Sequence, residues 1–152
     1  IEDFVKNIIP KYLEEAIKTF PPYRITMKEG QAWNLESLWV NFQKKHEFNP
    51  YHDHGGVYSF VIWLRIPYEH EEQNNLPFLQ GIKEQDRKAG MFEFQYFDIF
   101  GRTTHHGYRL GKDVEGVMLF FPAMFKHTVY PFYNTDETRV SVSGNLWLRP
   151  PK

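Results

Sequence analysis

Between Leu38 and Leu148 the apolar residues fall into short runs separated by turn-forming residues, a spacing that leaves little room for anything but an antiparallel β fold. The runs are Leu38–Gln43, Val57–Ile66, Met91–Phe97, Val117–Phe121, Thr128–Phe132 and Arg139–Leu148. In Arg139–Leu148 apolar residues alternate with small polar ones, the period of a strand with one buried face. Aromatic residues make up 18% of the chain, with 14 Phe, 9 Tyr and 4 Trp, and they favour strands and large cores. The expected architecture is mainly β: an antiparallel sandwich or barrel with one helix leading into it.

The leading helix is predicted over Glu2–Phe20. There Phe4, Ile8, Ile9, Tyr12, Leu13, Ala16, Ile17 and Phe20 recur at helical spacing. Pro10 kinks it or starts its second half, and Pro21-Pro22 stops it. Residues 1–22 are therefore read as a helix packed outside the sheets. Glu69–Gly90 is rich in Glu, Gln, Asn and Lys and has no periodicity, so residues 69–90 are read as a long surface insertion. At 152 residues the whole chain, 1–152, is expected to be one domain. It opens at Ile1 rather than Met, which leaves room for an upstream segment.

Eighteen basic residues stand against 19 acidic ones, so no basic excess exists to neutralise phosphates, and general nucleic-acid binding is not expected. There are no cysteines, which removes disulfides, thiolate metal sites and cysteine nucleophiles and fits a reducing cytoplasm. Neither a signal peptide nor a long apolar span is visible, so no membrane association is expected.

The seven histidines are unevenly spread. His52 and His54 lie in Phe48-Asn49-Pro50-Tyr51-His52-Asp53-His54-Gly55-Gly56, ahead of the strongest strand. In extended chain they share a face while Asp53 points away, so two imidazoles can converge on one ion. Alone, His-x-His is a weak signal, equally consistent with surface histidines in a polar loop. His127 strengthens it, because it sits between two apolar runs where a histidine needs a partner. Downstream, Arg139, Ser141 and Ser143 share one face of a strand whose other face is apolar. A fixed cation beside two hydroxyls suits a carboxylate ligand, although a plain amphipathic outer strand has the same spacing.

Taken in order, His52, the residue two places on, His127 and Arg139-x-Ser141 resemble the iron(II)- and 2-oxoglutarate-dependent oxygenases. Three segments are similar to a small subgroup common in marine phages and bacteria: Phe48 to Phe60, Phe121 to Phe132 and Arg139 to Asn145. The resemblance covers roughly Trp39 to Leu148 and implies a double-stranded β-helix, a jelly-roll or cupin-like barrel, with iron(II) near its open end. It further implies His52 and His127 as ligands, with Arg139 and Ser141 holding the far carboxylate of 2-oxoglutarate. O2 would be the oxidant, and succinate and CO2 would be released as a C–H bond is hydroxylated. The primary substrate is not readable. The family's second ligand is usually a carboxylate where this chain has His54, with Asp53 adjacent. The site is then either three-histidine or one whose backbone turns Asp53 inward. Alternation favours His54.

Tyr58 is the residue nominated for a hydrogen bond to the cosubstrate, and Phe92, Phe94 and Phe120 for apolar walls. His105 and His106 are placed in a turn, and His46 and His70 in solvent. Trp39, Asn41, Tyr58, Phe60 and Trp63 are read first as core or barrel lining. Two rivals stand beside the oxygenase reading. One is a cupin-type three-histidine dioxygenase that needs no 2-oxo acid, and the other is a non-catalytic barrel with incidental histidines.

Overall fold

The structure, a computed structural model, describes residues 7–12, 14, 15 and 31–149. Two four-stranded antiparallel sheets face each other. The first has the order β1 (Ala32–Gln43), β8 (Arg139–Arg149), β3 (Tyr58–Arg65), β6 (Met118–Pro122). The second has the order β2 (Asn49–His52), β7 (Lys126–Val129), β4 (Phe92–Phe97), β5 (Thr103–Tyr108). First and last strands pair in one sheet while β2 and β7 pair in the other, and this interleaving is that of a jelly roll. The mainly β architecture is thus the one the short apolar runs demand.

Between the sheets lies a core of Val61, Trp63, Ile66, Tyr68, Phe92, Phe94, Leu110, Phe121 and Phe132. A second cluster forms on the outer face of the first sheet, where Ile9 packs with Tyr58, Phe60 and Leu146, flanked by Tyr12, Trp33 and Leu35. Residues 7–12, 14 and 15 are helical, and it is their apolar stripe that covers this face. The rest of the expected helix Glu2–Phe20, and its Pro21-Pro22 stop, lie outside the described residues.

Strand β1 begins well before the expected Leu38, and a register shift between Leu35 and Ser37 explains why the pattern is broken there. Glu36 is the extra residue, and a bulge of this kind reverses which side chains face inward. Trp33 and Leu35 consequently join the outer cluster, whereas Trp39, Asn41 and Gln43 face the interior. Strand β7 starts at Lys126 and ends at Val129, ahead of the expected Phe132, because Pro131 cannot donate to a ladder. The pair Thr103-Thr104 and His105-His106, read as a turn, is strand β5. An edge strand with one neighbour and mostly exposed side chains carries no apolar alternation, so its sequence looks like a loop.

The 69–90 stretch is less irregular than its composition suggests. It holds a short helix, α1 (His70–Asn74), and two 3-10 turns at Pro77–Leu79 and Glu84–Asp86. Gln73 is fully buried; its Oε1 accepts from the Tyr133 backbone N–H at 2.9 Å and its amide meets Asn134. His70, expected in solvent, is also buried.

Gly144 on β8 is paired to Leu38 on one side and Phe60 on the other. A Cβ there would lie 2.8 Å from both the Phe60 ring and the Ser37 carbonyl oxygen. We expect Gly144→Ala to lower stability by about 1–3 kcal/mol through overpacking, measured as a urea midpoint shift. An unchanged midpoint would mean that the sheet has slack at this position.

Candidate metal centre

His52 ends β2, His54 follows it, and His127 lies on β7 directly opposite His52. One nitrogen from each ring can be chosen so that all three lie within 4.8 Å of one another. Ring centroids are 4.3 Å apart for His52–His127 and 5.0 Å for each of the other two pairs. A local irregularity brings this about. Between the pairs Asn49↔Val129 and His52↔His127, β2 spends two residues, Pro50 and Tyr51, against the single Thr128. This bulge turns His52 to the interior and Tyr51 to the other face.

The tautomers of two rings follow from their partners. His52 Nδ1 lies 2.7 Å from the Pro50 carbonyl oxygen, and His127 Nδ1 lies 2.9 Å from that of Phe125. A carbonyl only accepts, so each Nδ1 carries the proton and each Nε2 keeps its lone pair. Both bonds run to the residue two places earlier, the kind of support that orients a ligating imidazole. Asn49 Nδ2 approaches His52 Nε2 at 3.4 Å. His127 is 3% exposed and enclosed by Phe92, stacked at 5.3 Å, and Phe121 at 5.1 Å. Burial, against the Phe125 bond, pulls its pKa down to about 4, with His52 and His54 adding to the fall. His54 is lowered as well, by burial first and then by His52. The His54 and His127 imidazoles are therefore neutral at pH 7, the form that binds metal.

Asp53 is exposed and turned away, its carboxylate 3.7 Å from Lys126 Nζ. Among the described residues the converging ligand group is His52, His54 and His127, without Asp53.

The histidines form one wall of a cavity of about 380 Å³. Trp39, Asn41 and Gln43 from β1, and Arg139, Ser141 and Ser143 from β8, form the facing wall. Trp63, Phe92, Phe121 and Val129 close it with apolar surface. Arg139 is 2% exposed, and among the described residues no carboxylate lies within 4 Å of it. Its Nη2 donates to Gln43 Oε1 at 2.6 Å and to the Tyr130 carbonyl at 3.1 Å. Its Nη1 meets the Tyr68 hydroxyl and, at 3.3 Å, the Gly90 carbonyl. Burial lowers its pKa, opposed by Tyr68, but guanidinium stays charged through any ordinary range. Gly90 has φ +71°, and a Cβ there would lie 2.9 Å from the Tyr68 ring, so only glycine presents this carbonyl.

Several expected residues lie elsewhere. Tyr58 does not reach the cavity: its ring packs in the outer cluster, 5.2 Å from Tyr12, 5.4 Å from Trp33 and 5.0 Å from Phe120. The reason is strand parity, since Val61 and Trp63 of β3 join the core between the sheets while Tyr58 has the opposite phase. Phe120 is turned outward with it, and Phe121 takes the wall position expected of Phe120. Phe94 stands behind Phe92, its ring 6.0 Å from that of His127. His105 and His106 lie on β5, away from the cluster, and His46 is exposed at φ +68°. Gln43 is readable as a cavity residue from alternation with Asn41, whereas Asn49 has the opposite parity to His52 and reaches the cavity only because of the bulge between them. Tyr68, which holds Arg139 from a loop, leaves no signal in the sequence.

The sequence model of one protein family, described as "Putative 2OG-Fe(II) oxygenase", matches residues 37–145, well over half of the chain. The protein belongs to that family. No curated relative matches the chain. Among solved structures it is similar to the cupin domain of Drosophila melanogaster CENP-C, at 10% identity and a TM-score of 0.38, covering 78% of this chain and 71% of that one. The Drosophila melanogaster CENP-C structure bound to CAL1 gives 9% identity and a TM-score of 0.37, covering 82% and 74%. Both likenesses are remote, and the architecture rests on the strand order described above. None of the helices among the described residues is long and apolar enough to cross a membrane.

A histidine with a folded-state pKa of about 4 and an unfolded value of 6.5 binds its proton more readily when unfolded. Its stabilising contribution is whole above pH 6.5 and is lost as pH falls toward 4, amounting to about 3 kcal/mol. We expect wild-type metal-free protein to lose stability over that window more steeply than His127→Phe, followed by urea unfolding at each pH. Parallel curves would show that His127 is not held neutral by the fold.

Proposed function

We propose that the protein is an iron(II)- and 2-oxoglutarate-dependent dioxygenase that hydroxylates an organic substrate. One observation carries this reading: a buried arginine that has no carboxylate partner among the described residues faces the same cavity as three convergent imidazoles. The donor set fits the metal, since neutral imidazole nitrogen is a normal ligand of iron, zinc and copper. Arg139 and Ser141 fit the cosubstrate, since a guanidinium fork pairs with a carboxylate bidentately. When bound, the metal and 2-oxoglutarate supply the oxidising chemistry with O2, releasing succinate and CO2.

In this reading the chain's own residues do four things. Pro50 and Phe125 carbonyls hold the His52 and His127 rings with Nε2 toward the ion. Arg139 fixes the far end of the diacid, and Tyr68, Gly90 and Tyr130 hold Arg139. Phe92, Phe121, Trp63 and Val129 exclude water, which strengthens that charge pairing. His54 in place of a carboxylate leaves the ion's full charge to be balanced by bound anions. This last feature also favours a second reading, a three-histidine dioxygenase acting directly on its substrate, and succinate formation separates the two.

We expect His52→Ala and His127→Ala to lose stoichiometric iron(II) or cobalt(II) binding while remaining folded; full occupancy in both would remove the site. His54→Ala should weaken metal binding far more than Asp53→Ala, and the opposite ranking would restore a carboxylate ligand at Asp53.

With iron(II), O2 and 2-oxoglutarate, wild-type protein should release succinate. Arg139→Ala should spare the metal and raise the 2-oxoglutarate requirement by tens- to thousands-fold, the effect of breaking a buried charge pair worth about 2–5 kcal/mol. Arg139→Lys should recover only part, because an ammonium cannot reproduce the fork. Ser141→Ala should cost less, about 0.5–1.5 kcal/mol for one neutral hydrogen bond. Unchanged cosubstrate titration in all three variants would count against 2-oxoglutarate.

A further inference from the structure

Glu93 lies on β4 between Phe92 and Phe94, which face the core, so its side chain occupies the opposite face of the second sheet. It is only 1% exposed, and a carboxylate so buried requires partners. Its Oε1 accepts from the Tyr51 hydroxyl at 2.5 Å and the Tyr130 hydroxyl at 3.0 Å, and lies 3.2 Å from His105 Nδ1. Its Oε2 pairs with Lys88 Nζ at 2.7 Å. None of these side chains enters the chemistry proposed above; of Tyr130 only the backbone carbonyl, which holds Arg139, takes part there.

Tyr51 belongs to β2, and β7 separates β2 from β4, so the Tyr51–Glu93 bond crosses behind an intervening strand. The strand it reaches is the one most in need of fastening. β2 is an edge strand with two register pairs to β7 and a bulge between them, and Pro50 has no N–H to give. Thr128 Oγ1 ties the bulge at the Asn49 carbonyl, at 2.7 Å. The Pro50 carbonyl, which accepts from His52 Nδ1–H, is in the same peptide unit as the Tyr51 nitrogen. Whatever fixes Tyr51 therefore fixes the direction of that carbonyl, and with it the His52 ring. His127 has no comparable need, being paired on both sides, to His52 and to Phe94.

We propose that Glu93, acting through the Tyr51 hydroxyl, is a positioning residue that sets the His52 imidazole for metal binding from the far side of the sheet. This rests on the reading of His52, His54 and His127 as a metal centre. Tyr130 shares the same carboxylate but follows the strand that carries His127, and so serves as the internal control.

The test is cobalt(II) titration of the full chain, followed by visible absorption, for wild type, Tyr51→Phe, Glu93→Gln and Tyr130→Phe. Tyr51→Phe and Glu93→Gln should raise the cobalt Kd about ten- to a hundredfold, the usual effect of losing a group that orients a ligand, and should alter the cobalt band pattern. Tyr130→Phe should leave both as in wild type. Equal loss in Tyr51→Phe and Tyr130→Phe, or a lowered urea midpoint with unchanged cobalt affinity, would show a merely structural cluster and overturn the inference. Should Glu93→Gln fail to fold, Tyr51→Phe decides alone, since it removes one oxygen from a half-exposed ring. A wild-type chain that binds no cobalt would overturn the metal centre itself, and the inference with it.

Discussion

The pairing of His52 with His127 across the β2–β7 seam is the contact on which the rest of the molecule turns. It joins the end of the second sheet's edge strand to an interior strand, and it works only because the bulge at Pro50-Tyr51 rotates His52 inward. Three rings that would each be ordinary in isolation are thereby brought to one place, with His54 added by the turn that follows. The aromatic core exists on the same terms. Phe92 and Phe121 are packed against the imidazole of His127 as well as against each other, so the hydrophobic interior and the polar cluster are one continuous structure.

Arg139 is the counterpart of that seam on the first sheet. A cation buried without a nearby carboxylate is costly, and here four oxygen acceptors and two aromatic faces, Phe132 at 5.4 Å and Tyr68 at 5.8 Å, offset the cost. Three of those acceptors are carbonyls or a hydroxyl held by the fold. The fourth, Gln43 Oε1, belongs to a side chain that itself lines the cavity. The two walls of the cavity thus offer complementary chemistry, lone pairs from one side and a fixed positive charge from the other.

Much of this was legible in the sequence because it obeys a period of two. The rule that puts Arg139 with Ser141 and Ser143 holds in β8, where all three line the cavity, while His52 and His54 converge although His54 lies just past the end of β2. It failed where a bulge resets the phase, at Glu36 and at Pro50-Tyr51, for bulges leave no residue-level mark here. By the same alternation Tyr58 in β3 and Phe120 in β6 have the wrong parity for the cavity and face the outer cluster. Strand β5 escaped notice because an exposed edge strand of Thr and His has no apolar rhythm. The Glu93 cluster was invisible for a different reason. Its members, Tyr51, Lys88, Glu93, His105 and Tyr130, are scattered along the chain and meet only when three strands assemble.

Trp39 lies on the cavity wall with its ring 5.3 Å from that of His54, and Trp63 lines the same space. Indole emission is drained efficiently by an ion with unpaired electrons at such range and far less by a closed-shell one. With the proposed metal centre loaded, these indoles would act as an optical gauge of the ion, separating iron or cobalt from zinc without any added label.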